Sequence, residues 1–146
     1  MQAVAVTGPA IDWRVRFAAA PERVWQAWTT DRGRKRFWAE RSAAGEGGFD
    51  LDFVNGERLR VEVVEAQPPE RLVFRYFGGS TVTVDIAPDG AGGCDLRLRE
   101  VDSPEPLENR AGWVSVLLAC KAAVDFGIDL RSHDPGRSWD AGFVDV

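Results

Sequence analysis

The chain has one histidine, His133, so neither a histidine-based triad nor a multi-histidine metal site can be assembled within it. His133 stands in SHDP beside Asp134, a pairing that could tune a general base, but a turn-rich tail favours a surface or capping role. Cys94 and Cys120 lack CxxC spacing and are too few for a disulfide framework, so reduced structural thiols are expected. The glycine-rich pieces GEGG at 45–48 and DGAGG at 89–93 match neither a phosphate loop nor GxGxxG. Each joins two strand patterns instead of leading a strand into a helix. GxSxG and HExxH are missing as well. No catalytic residue, metal ligand or cofactor site is assigned.

Charged residues on strand-like stretches form a second set of candidates. Glu62, Arg75, Asp85, Arg97 and Arg99 are opposite in parity to their apolar neighbours, which predicts an outward face with cross-strand pairing. A bulge could instead turn one or two of them inward to orient a polar ligand group. Arg32, Arg34, Lys35, Arg36 and Arg41 read as a solvated helix face, with attraction of an anionic ligand to a cavity mouth as the alternative.

Aromatic residues are the third set. Six tryptophans accompany a single tyrosine, and such large rings either fill a core or line a pocket. The candidate cavity residues are Trp28, Phe37, Trp38, Phe49, Leu51, Phe53, Val61, Phe74, Tyr76, Val82, Val84, Leu96, Trp113, Leu117, Cys120 and Val124. For most of them solid core is the competing expectation. Tyr76 stands out because a buried hydroxyl wants a partner, which a bound carbonyl or hydroxyl could provide.

These side chains need elements to hold them. Ile11 to Phe17 alternates as a strand with one buried face. In PERVWQAWTT, Pro21 suits the first helical position, and Thr30 or Asp31 can cap a second short helix running to about Trp38, with Phe37 and Trp38 inward. From Gly47 the period becomes two: Phe49, Leu51 and Phe53, then Leu59, Val61 and Val63 after the turn at Asn55–Gly56. Leu72, Phe74 and Tyr76, then Val82, Val84 and Ile86, then Cys94, Leu96 and Leu98 continue an antiparallel meander of five or six strands. A long helix from about Leu107 or Asn109 to Phe126 carries the stripe Trp113, Leu117, Cys120, Val124 and ends at Gly127. An alternating sheet needs one side covered, and only this helix is long enough, so the sheet should wrap around it. Trp139 and Phe143 are expected to dock the tail, residues 131–146, onto a single domain spanning 1–146.

Composition agrees with that architecture and removes several classes. A chain of 146 residues, 45% hydrophobic and 28% charged, is one ordinary globule that buries about two-thirds of its unfolded surface. Its net charge of −5 opposes nucleic-acid binding, which needs clustered cations. The longest apolar stretch, Trp113 to Val124, is broken by Ser115 and Lys121 and is too short to span a membrane. MQAVAVTGPA shows no secretory signal, so a cytoplasmic location is expected.

The element order, with APERVWQAW, GGFDLDF, VEVVEAQPPERLVFRY and a final GW leading an apolar helix, resembles the SRPBCC or START-like superfamily. Within it the chain is similar to the group named after the activator of the heat-shock protein 90 ATPase, from about Ile11 to Leu130. The resemblance implies an α+β helix-grip fold, a curved antiparallel sheet around a long C-terminal helix with two short helices after the first strand. It also implies a cavity between sheet and helix, used across the superfamily for apolar molecules. Chaperone activation is not implied, because in the namesake a separate N-terminal domain supplies much of the ATPase stimulation. The leading expectation is binding of a small apolar or amphipathic molecule without a catalytic constellation or cofactor. A cyclase or aromatase-type enzyme, with Tyr76 as first suspect, and a co-chaperone-like interaction module are the alternatives. A homodimer and a protein partner stay open.

Overall fold

Alternation of apolar and charged residues produces β1, Ile11–Phe17, whose two ends are buried. The structure, a computed structural model, describes residues 10–146. The segment read above as lacking a secretory signal lies, up to Pro9, outside the described residues. Helix α1, Pro21–Thr29, begins with proline where the helix has no use for the missing N–H, and it buries Val24, Ala27 and Trp28. Thr30 caps the next helix, α2, Asp31–Lys35, by accepting from the Gly33 amide at 3.0 Å.

Helix α2 stops three residues before the expected Trp38. Phe37 and Trp38 are consecutive and both buried, and a continuing helix would splay them by about 100°. The chain leaves the helix instead, with the Trp38 and Ala39 amides both returning to the Arg34 carbonyl at 2.8 and 3.3 Å. Arg34 also departs from the solvated face assigned to it. It is buried, stacks 3.8 Å from the Phe49 ring centroid, and donates to Trp28 O, Ser42 Oγ and Asp31.

The strands that follow are β2 (Arg41–Gly45), β3 (Gly48–Asp52), β4 (Arg58–Gln67), β5 (Arg71–Arg75), β6 (Thr81–Pro88) and β7 (Cys94–Val101). They form one curved antiparallel sheet in the order β1-β7-β6-β5-β4-β3-β2. Strand β2 was not foreseen, because RSAAG carries no alternating apolar row. It is an edge strand held by pairing with β3, Arg41 opposite Asp52. A register shift lies between Val63 and Glu65 in β4. Outside the sheet, Asp85 pairs with both Arg71 and Arg99, Asp12 pairs with Arg97, and Arg75 donates to Thr81 Oγ1. Glu62 stands opposite Arg75 in the register. The parity reading of these charges matches their positions.

Helix α3, Pro106–Phe126, closes with Gly127 at φ 66°, a left-handed cap that suits glycine. It packs on β1 and α1. Its C-terminal end is pinned by Asp125, whose carboxylate accepts from the Ala18 and Ala19 amides at 2.9 and 3.1 Å. Among the described residues no helix is long and apolar enough to cross a membrane.

Candidate functional site: an aromatic pocket under the first half of the long helix

The inward row of β7 runs Cys94, Leu96, Leu98 and then Glu100, all buried. Strand periodicity therefore places a carboxyl group inside the molecule. Glu100 accepts from the Trp113 indole Nε1 at 2.9 Å, from Asn109 Nδ2 at 3.4 Å and from the Ser80 hydroxyl. Asn109 Nδ2 also donates to Ser103 Oγ at 3.0 Å. One buried acceptor thus fixes two residues of α3, Asn109 and Trp113, and links them to the start of β6.

Around Trp113 the rings assemble into a wall. Tyr76 lies 4.9 Å and Trp38 6.1 Å from it between centroids, with Trp28 beneath at 6.4 Å. Trp38 Nε1 donates to the Tyr76 hydroxyl at 3.2 Å. Phe77 packs edge-on to Tyr76 at 4.9 Å and meets Phe53 at 5.8 Å. Burial pushes the Tyr76 phenol well above its ordinary value, so it stays protonated and keeps a proton to donate. The hydroxyl proton has no acceptor among the described residues.

Between this wall and the tail lies a cavity of about 360 Å³. Trp38, Phe53, Tyr76, Phe77, Trp113, Val116 and Trp139 make it apolar, while Glu40, Glu57, Glu105, Glu108, Asn109, Ser115 and Arg131 supply its polar groups. The tail borders it directly. Trp139 Nε1 donates to Glu108 at 3.1 Å, and the buried Arg131 guanidinium donates to the Ala39 and Lys35 carbonyls at 2.9 and 2.6 Å and to Asp129. His133 bridges Glu40 and Asp129, each at 2.7 Å.

Of the residues singled out from the sequence, Trp38, Phe53, Tyr76 and Trp113 line this cavity. Trp28, Phe49, Leu51, Val61, Phe74, Val82, Val84, Leu96, Leu117 and Cys120 are packed in the core and do not line it. Phe37 and Val124 border a separate dent of about 240 Å³ beside Arg23, Arg32 and Arg36. The basic cluster is therefore not at the aromatic cavity's mouth, where acidic residues stand. Strand parity tells which side chains face inward, but the filled part of the interior and the open part share that parity. Sequence reasoning missed Glu100, although its place two residues beyond Leu98 was the available signal. It also missed Phe77, Asn109 and the glutamates of the rim. The two cysteines are free and buried, and burial pushes Cys94 up to about 11, which leaves no reactive thiolate.

A curved antiparallel sheet closed over a long C-terminal helix, preceded by two short helices, is the helix-grip architecture of the SRPBCC class. Residues 18–123 match the family model described as activator of Hsp90 ATPase homolog 1-like protein, and the chain belongs to that family. Solved structures share the fold. A protein from Staphylococcus saprophyticus, SSP2350, is 20% identical with a TM-score of 0.74, over 84% of this chain and 96% of that one. The Aha1 dimer from Colwellia psychrerythraea is 21% identical with a TM-score of 0.73, over 82% and 98%. DynU16, a protein in the dynemicin biosynthetic locus, is 23% identical with a TM-score of 0.71, over 81% of this chain and 48% of that one. No curated protein sequence matches significantly.

Proposed function

We propose that the chain binds a small apolar or amphipathic molecule in the cavity between the first half of α3, the β3–β4 turn and the tail. The observation that carries this reading is the cavity of about 360 Å³ walled by aromatic rings, with the Tyr76 hydroxyl proton unspent at its wall. That size lies within the range of roughly 300–1,000 Å³ typical of small-molecule sites. Burying about 300 Å² of apolar ligand surface gains about 7 kcal/mol, against roughly 4 kcal/mol or more for immobilising the ligand. The difference of about 3 kcal/mol corresponds to millimolar affinity without a catalytic group. Tyr76 held protonated supports hydrogen bonding to a ligand oxygen and not proton abstraction.

Titration with the neutral dye Nile red tests the proposal. Saturable enhancement of its emission, reduced in the Trp113→Ala variant, is the expected result. An emission that rises linearly with protein, or one indifferent to Trp113→Ala in a folded variant, contradicts it.

A further inference from the structure

The unspent polar groups at the cavity are unequal in kind. Arg131, the one cationic side chain among the lining residues, is consumed by Asp129 and two backbone carbonyls. Glu40 is consumed by His133. What is left over accepts. Glu105, at the N-cap of α3, and Glu108, three residues on, both line the cavity, Glu108 with one oxygen spent on the Trp139 indole, and the contact between the two carboxyl groups raises Glu105 above its ordinary value. Glu57, in the β3–β4 turn, lines the same cavity with no ion-pair partner among the described residues. Asn109 spends its amide N–H groups on Glu100 and Ser103, leaving Oδ1 without a donor among the described residues.

A like-charge carboxylate pair gains from a cation that neither Arg131 nor any other described side chain supplies. The helix N-terminus opposes that with about half a positive charge, which two carboxylates exceed. Aromatic faces at the same cavity, Trp38, Tyr76 and Trp113, attract cations further through their π-systems. We infer that the cavity selects an amphipathic cation, an apolar or aromatic body carrying an ammonium group, its body against Trp38, Tyr76 and Trp113 and its N–H donors at Glu105, Glu108 and Asn109. This rests on the binding reading above and adds the charge of the ligand to it.

Calorimetric titration at low salt with three probes of one skeleton separates the two claims: 2-(2-naphthyl)ethylammonium, 2-(2-naphthyl)ethanol and 2-naphthylacetate. The ammonium should bind about tenfold more tightly than the alcohol, and the acetate most weakly. In the Glu105→Gln/Glu108→Gln variant, which alters exposed side chains, the ammonium should lose its tenfold advantage over the alcohol. Equal affinities for ammonium and alcohol, a preference for the acetate, or an ammonium advantage that survives the double variant overturns the inference and leaves the binding reading standing. Failure of all three probes and of Nile red removes both.

Discussion

At the scale of single residues, Glu100 and Tyr76 explain why this end of the molecule is ordered yet not filled. Glu100 gives the Trp113 indole, Asn109 and Ser80 a common acceptor, so rings that could collapse into the cavity are held against its wall. Replacing Glu100 with Ala strands several buried donors and should cost about 2–4 kcal/mol in urea unfolding, with Glu100→Gln milder because one acceptor survives. Tyr76→Phe leaves the Trp38 indole N–H unpaired and should cost about 1–2 kcal/mol. In ligand titrations that variant should weaken binding of naphthylethanol but not of naphthalene, which makes no hydrogen bond. Equal effects on both ligands would remove the donor role given to Tyr76.

Among the elements, those with strong periodicity were legible. Strand β1, the row Phe49–Leu51, the meander through Leu98 and the stripe of α3 all follow from spacing, because burial of one face is what the pattern encodes. What failed were features set by tertiary contact. Strand β2 is an edge with no apolar row, α2 is cut short so that Phe37 and Trp38 can both enter the core, and Arg34 is buried because Phe49, Asp31 and the Trp28 carbonyl satisfy it. Gly33, a poor helix former by propensity, is required by the approach of α1 and α2. A Cβ there would lie 2.5 Å from the Gln26 carbonyl oxygen and 2.6 Å from Ala27 Cα. Gly33→Ala gains helix propensity of about 1 kcal/mol and loses more to that clash, so a net destabilisation of about 1–3 kcal/mol is expected by thermal or urea unfolding. A stabilised variant would show that the two helices can separate freely.

For the whole molecule, the fold was readable from element order, but the place of the cavity was not, because it depends on where the tail runs. The tail is fastened by charge. Asp129's hydrogen bond raises His133 above its ordinary 6.5, partial burial works against that, and Glu40 adds to the rise. The stabilisation is therefore fully present below about 6.5 and is lost as pH climbs through the folded-state value. Burial pushes Asp129 up, but hydrogen bonds from Arg131 and His133 outweigh it and hold it down to about 2. Its contribution is present above its ordinary 3.8 and fades as pH falls towards 2. The tail should be held most firmly between those limits. Amide exchange over residues 131–138, corrected for intrinsic rates, should show less protection at pH 8 than at pH 6, and His133→Ala should abolish the difference. Protection that is the same at both values would contradict this fastening.

The account depends on the interior of this fold being open in one place, under the first half of α3. Two-dimensional NMR of the tryptophan indole N–H groups during titration with naphthylethanol tests that directly. The resonances of Trp38, Trp113 and Trp139 should move and saturate together, while those of Trp13 and Trp28, which do not line the cavity, should stay in place. Shifts confined to other tryptophans, or no saturable shift at any of them, would contradict it.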